Sequence, residues 1–224
     1  MRHEWLEYLQ RLSWDAPIVL AIASGAIGSV ISIAWISARD AREMSRQRRI
    51  SALEAAVALE SFALTCRTMM HKASWVASDA PLSTNDSKIA AVAVPSFSFP
   101  ENIQWNAFSR KTISTLRDYP AMVHAACEYT EALRQFSELA EFCNAIKFEC
   151  AKAARSALEQ AKITRRRHGV PSWKAWGADS SLERELTGFI TAVEEERRKS
   201  LALREASKVR WASNAVPTGD AASA

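Results

Sequence analysis

The chain has 224 residues, of which 48% are hydrophobic and 24% charged, with a net charge of +4. Only six glycines and seven prolines occur, and abundant alanine favours helix over sheet. A charge this mild, concentrated beside one apolar run, argues against a nucleic-acid binder and for anionic lipid headgroups as the polar partner.

Residues 3–14 place Trp5, Tyr8, Leu9 and Leu12 on one helical stripe with charges opposite, the pattern of a short amphipathic helix lying in a membrane interface. The next stretch, Ala16 to Ala38, carries no charged residue. A helix needs about 20 apolar residues to cross a hydrocarbon core of about 30 Å. Trp14 and Trp35 bracket the run, about 31 Å apart at helical rise, a spacing that puts one indole at each interface. The run is too long, and its leader too mixed in charge, for a cleaved signal peptide. Pro17 suits the first turn of the expected span.

Residues 1–15 hold Arg2 and Arg11 against Glu4, Glu7 and Asp15, whereas residues 39–49 hold Arg39, Arg42, Arg46, Arg48 and Arg49 against Asp40 and Glu43. Basic residues beside a span favour the cytoplasmic side. The expectation is a single-pass protein with residues 1–15 outside and residues 39–212 forming a cytosolic bundle. Within the span, Ala21, Gly25 and Ser29 form one row of small residues and Ser24, Gly28 and Ser32 the next. Such rows let membrane helices approach closely, and they predict a homo-oligomer.

No Gly or Pro interrupts the chain from the span to Pro81, so one helix is expected to continue to about Ser78. Ile50, Leu53, Val57 and Leu64, with Phe62, Cys66, Met69 and Met70, read as its apolar stripe. Residues 79–106 change character: a turn cluster is followed by an irregular apolar excursion whose prolines prevent a long strand. A short helix is expected from Trp105 to Arg117, ended at Asp118-Tyr119-Pro120.

From Ala121 to His168 the sequence predicts one unbroken helix. Met122, Tyr129, Phe136, Cys143, Cys150 and Ala157 recur every seven residues, with Ala126, Leu133, Ala140, Ala154 and Ala161 as partner row. That is a coiled-coil signal. Arg165, Arg166, Arg167 and His168 complement the dipole of the last turn, and Gly169 suits the position after the cap. Ser180 and Glu183 read as a capping box opening a last helix to about Trp211. Residues 213–224 read as a disordered tail. The fold class expected is therefore all-α: a transmembrane helix continuing into an antiparallel, coiled-coil-like bundle.

The four cysteines, Cys66, Cys127, Cys143 and Cys150, fall in apolar helical contexts and suit reduced core thiols. His124 and Cys127 lie one turn apart, and Cys66 and His71 could complete a metal set, but a core reading explains them more simply. Nucleotide-loop, nucleophile-elbow and zinc-protease motifs are absent from the sequence, so no catalytic, cofactor-binding or metal residue is assigned and no enzyme activity is expected. If the long helix returns to the bilayer, Arg165, Arg166, Arg167, Trp173 and Trp176 join Arg39, Arg42, Arg46, Arg48 and Arg49 as membrane-contact residues. The functional expectation is a membrane-anchored helical interaction or scaffold protein that self-associates and meets a protein partner. The alternative is a subunit of a membrane transport, secretion or lysis complex.

Overall fold

The computed structural model describes the backbone of residues 17–79 and 91–214, and the side chains of residues 28–78, 91–177 and 179–208. Four α-helices carry the described chain: α1 (Pro17–Asp79), α2 (Arg110–Phe136), α3 (Leu139–His168) and α4 (Leu182–Asn214). Short 3-10 turns, Trp105–Ala107 and Gly177–Ser181, precede α2 and α4. The helical bundle expected from the sequence is present, and no strand occurs among the described residues. Two compact units divide the chain, Met1–Arg48 and Arg49–Ala224.

In the first unit the described side chains of α1 are almost all exposed, including Val30, Ile31, Ile33, Trp35 and Ile36. The Ser32 hydroxyl donates back to the Gly28 carbonyl at 2.9 Å. Among the described residues no helix is long and apolar enough to cross a membrane. The expected span begins at Ala16, outside those residues, and the side chains of 17–27 lie outside them too. The amphipathic stretch 1–15, the turn cluster at 80–90 and most of the tail, 215–224, also fall outside.

In the second unit α3 lies antiparallel to α1, α2 and α4. Glu60 of α1 pairs with Arg165 near the end of α3, and the Tyr119 hydroxyl of α2 donates to the Ala153 carbonyl at 2.9 Å. Lys162 of α3 pairs with Glu183 of α4. The face of α3 turned to its neighbours is rich in alanine: Ala151, Ala153, Ala154, Ala157 and Ala161 are buried. The α1 core face matches it with Ala52, Ala55, Ala56, Ala63 and Ala73, around Leu59, Cys66 and Met70. Small side chains permit the close backbone approach that makes such faces bury well despite little apolar area per residue.

This corrects the first half of the apolar stripe expected on α1, whereas Phe62, Cys66 and Met70 are buried as expected and Leu64 and Met69 pack against the core. Ile50, Leu53 and Val57 are 48%, 42% and 45% exposed. They lie on the side away from the core because the alanines opposite them take the packed positions. The unbroken helix from Ala121 to His168 is likewise corrected: α2 ends at Phe136 and α3 begins at Leu139. The seven-residue row is buried only in α3, at Cys143, Cys150 and Ala157, whereas Met122, Tyr129 and Phe136 are exposed. Conversely, Pro120 does not end a helix but sits inside α2. A proline there removes one backbone hydrogen bond. Burial of Leu116, Tyr119 and Val123 on the same face outweighs that loss.

Residues 91–104 have no regular secondary structure, yet they belong to the core. Val92, Val94 and Ile103 are buried. Phe97 meets Phe62 at 4.9 Å between ring centroids and Tyr119 at 5.0 Å, and Phe99 meets Trp105 at 5.3 Å, all edge to face. Such edge-to-face pairs add about 0.5–1.5 kcal/mol each beyond their buried area.

Candidate functional site

The sequence of α3 ends in four consecutive basic residues and a glycine, and the structure gives them separate tasks. Gly169 closes the helix in the left-handed region at φ 62°, with its N–H donating to the Arg165 carbonyl. Arg165 turns inward. Its Nε donates to Glu60 Oε1 at 2.7 Å and its Nη2 to Oε2 at 2.8 Å, while Nη1 donates to the Pro171 carbonyl at 2.8 Å. Both side chains are buried. A planar guanidinium gripping a carboxylate with two parallel bonds is the geometry that compensates burial of both charges. It ties α1, the end of α3 and the segment after it into one joint.

A cleft of about 470 Å³ lies against this joint, walled by Leu158, Trp173, Ala175 and Leu182. The charged groups lining it are all paired: Glu60 with Arg165, Lys162 with Glu183, and Asp179 with Arg67 at 3.1 Å. Arg67 also reaches Glu185 at 2.8 Å, and His71 Nε2 lies 3.4 Å from Glu185. Pairing of this kind holds helices in register and leaves no lining charge to act on a ligand. Ser180, expected as a cap, instead donates to the Gly177 carbonyl at 2.7 Å inside the 3-10 turn, so α4 starts at Leu182.

The thiols sit mid-bundle. A hydrogen bond to Cys150, then burial and the nearby Cys150 and Cys127, push the Cys66 thiol well above its ordinary range. Burial raises Cys127 and Cys143, and it raises the Tyr119 phenol, with Cys66 adding to the last. These are thiols held protonated. Among the described residues no group of His, Cys, Asp or Glu is arranged to hold a metal ion. His124 is exposed, and His71, also exposed, lies 3.4 Å from Glu185.

The residues expected at a membrane divide in the same way. Arg39, Arg42, Arg46 and Arg48 are exposed in the first unit, and Arg49 is exposed at the start of the second. Arg166 and Arg167 are exposed at the end of α3, whereas Arg165 is withdrawn into its pair with Glu60, a correction to its expected role. Trp173 packs on the core; Trp176 is 84% exposed. Among the small residues expected to pack in a span, Gly28, Ser29 and Ser32 are exposed, and a Cβ on Gly28 would meet nothing within 4 Å. Ala21, Ser24 and Gly25 lie outside the described side chains.

Sequence reading missed two exposed cations, Arg110 and Lys111, at the start of α2. The Arg167 Nη1 lies 3.4 Å from the Thr112 hydroxyl, so the first turn of α2 and the last turn of α3 share one end of the bundle. Phe108 stacks edge to face with His168 at 5.1 Å there, and Arg49 comes within 3.9 Å of where a Cβ on Gly169 would stand. The signal was available: two basic residues in a first turn oppose the helix dipole, which marks a position chosen for something other than helix stability. Compared with known protein families, curated proteins and solved structures, the chain shows no match.

Proposed function

We propose that the protein is a membrane-anchored helical interaction module that assembles with copies of itself, its bundle on the cytoplasmic side. The uncharged run from Ala16 to Ala38 is the anchor, and the excess of arginine over acid in residues 39–49 sets the orientation. The observation that carries the interaction reading is the second apolar face of α1. Ile50, Leu53 and Val57 follow helical spacing on the side opposite the alanine core, and each is about half exposed. A helix apolar on two faces needs two neighbours, and the bundle supplies one.

The occupant of the second face is another copy of the same helix. Small residues also occur earlier in the chain, at Gly28, Ser29 and Ser32, and such rows favour close approach of a second copy. The test is the mass of the full chain in mild detergent as concentration rises. An assembly larger than one chain is expected for the native sequence, and a monomer of unchanged helicity for Leu53→Lys with Val57→Lys. A native chain that stays monomeric at every concentration overturns the self-association.

A further inference from the structure

We infer that the end of the second unit formed by Arg49, the first turn of α2 and the last turn of α3 is a docking surface for an anionic bilayer. The inference rests on the anchored reading above and adds a partner for a site that reading does not use. Arg49, Arg110, Lys111, Arg166 and Arg167 are all exposed. Among the described residues no carboxylate forms an ion pair with any of them. Two acids of α1 are engaged elsewhere: Glu54 accepts the Asn102 amide at 2.8 Å, and Glu60 is buried with Arg165. Glu101, Glu43 and Asp118 are exposed on neighbouring stretches of the chain, and none of them pairs with these cations among the described residues.

Three observations converge on a bilayer as the occupant. The cations come from three separate helices, so they form a broad face rather than one pocket. Arg110 and Lys111 sit in a first turn that contains no acid, where their charge works against the helix dipole unless an anion lies opposite. The third is in the sequence: Arg49 closes the basic run Arg39, Arg42, Arg46, Arg48 and Arg49 that directly follows the uncharged stretch read as the anchor. A cationic face at anionic headgroups gains about fivefold in contact population for each Lys or Arg that reaches the surface.

The experiment uses the full chain in lipid nanodiscs, one set of neutral phosphatidylcholine and one containing phosphatidylglycerol. Lysine acylation is read by mass spectrometry, with exposed Lys199 on α4 as internal control. Lys111 is expected to react several-fold more slowly in the anionic discs, and to recover in 1 M salt, which screens such contacts. Recovery is also expected in the Arg166→Gln, Arg167→Gln variant. Equal Lys111 rates in the two kinds of disc, in preparations that retain the chain, overturn this inference and leave the anchor standing. A chain that does not enter discs at all removes both.

Discussion

The two ends of the α2–α3 hairpin are built on opposite principles. At the Gly169 end, Arg165 grips Glu60, Arg167 reaches Thr112, Phe108 meets His168, and the Ser109 side chain caps α2. At the other end the helices meet at Ser137 and Glu138, where α3 has no side-chain cap, and Phe136 is 86% exposed. The charges are segregated as well. Along the hairpin, Glu128, Glu131, Glu138 and Glu141 flank the turn with Arg134 the one cation between them, whereas Arg110, Lys111, Arg166 and Arg167 mark the opposite end; Arg197 and Arg204 of α4 line the surface beside Leu133 and Glu141. Stitching and positive charge therefore coincide at the Gly169 end. The turn end contributes length and acidity but little cohesion.

That contrast orders the expected effects of substitution. Removing Arg165 strands the Glu60 carboxylate in the core, and Arg165→Met should cost about 3–5 kcal/mol in urea unfolding. Adding Glu60→Met should restore most of the loss, because well-packed apolar pairs replace buried ion pairs at little cost. A single-variant cost below about 1 kcal/mol would break the claim that this joint holds the Gly169 end. Mid-bundle, the raised Cys66 and Tyr119 groups give a pH effect of definite sign. In the unfolded chain a thiol ionises near its ordinary 9.0 and the phenol near 10.0, whereas the folded core keeps both protonated. Rising pH thus stabilises the unfolded state first, so stability should be full below pH 9 and fall above it. Cys66→Ala should make that alkaline decline shallower.

Smaller effects sharpen the comparison at each end. Gly169→Ala meets no nearby atom closer than 3.9 Å, so its cost is that of an alanine held at positive φ, about 1–2 kcal/mol, read as a lower melting temperature. Ser109→Ala removes the cap of α2 and should cost about 1 kcal/mol. At the turn, Phe136→Ser should stay within about 0.5 kcal/mol of the native chain. A loss as large as that of Gly169→Ala would show that the turn end is packed after all.

Much of the fold was legible because helix formers dominate and the α3 terminus has an unambiguous signature. Arg165 to His168 followed by Gly169 predicts both the stop and the left-handed cap that the structure contains. The face of α1 was legible from Phe62 to Met70 but not over residues 50–57, because hydrophobic periodicity weights large side chains. Ile50, Leu53 and Val57 outshout Ala52, Ala55, Ala56 and Ala63, yet close helix approach selects the alanines. The break after Phe136 contains neither Gly nor Pro, and the seven-residue row runs through it without a slip, so pattern alone carries the helix across. The Glu60–Arg165 pair joins residues 105 positions apart, and no local pattern distinguishes that arginine from its two exposed neighbours. Only the packing of α1 against α3 decides which one turns inward.

The anchor and its direction are the central claim, and labelling from one side tests them most directly. Single cysteines are introduced at His3 and at exposed Ser200 on α4 and probed with a membrane-impermeant maleimide on intact cells. Any native-thiol signal is subtracted using the parent chain. The expected result is a chain retained in carbonate-washed membranes, with position 3 labelled from outside and position 200 labelled only after the membrane is opened. A chain released by the carbonate wash, or position 200 labelled on intact cells, would contradict it.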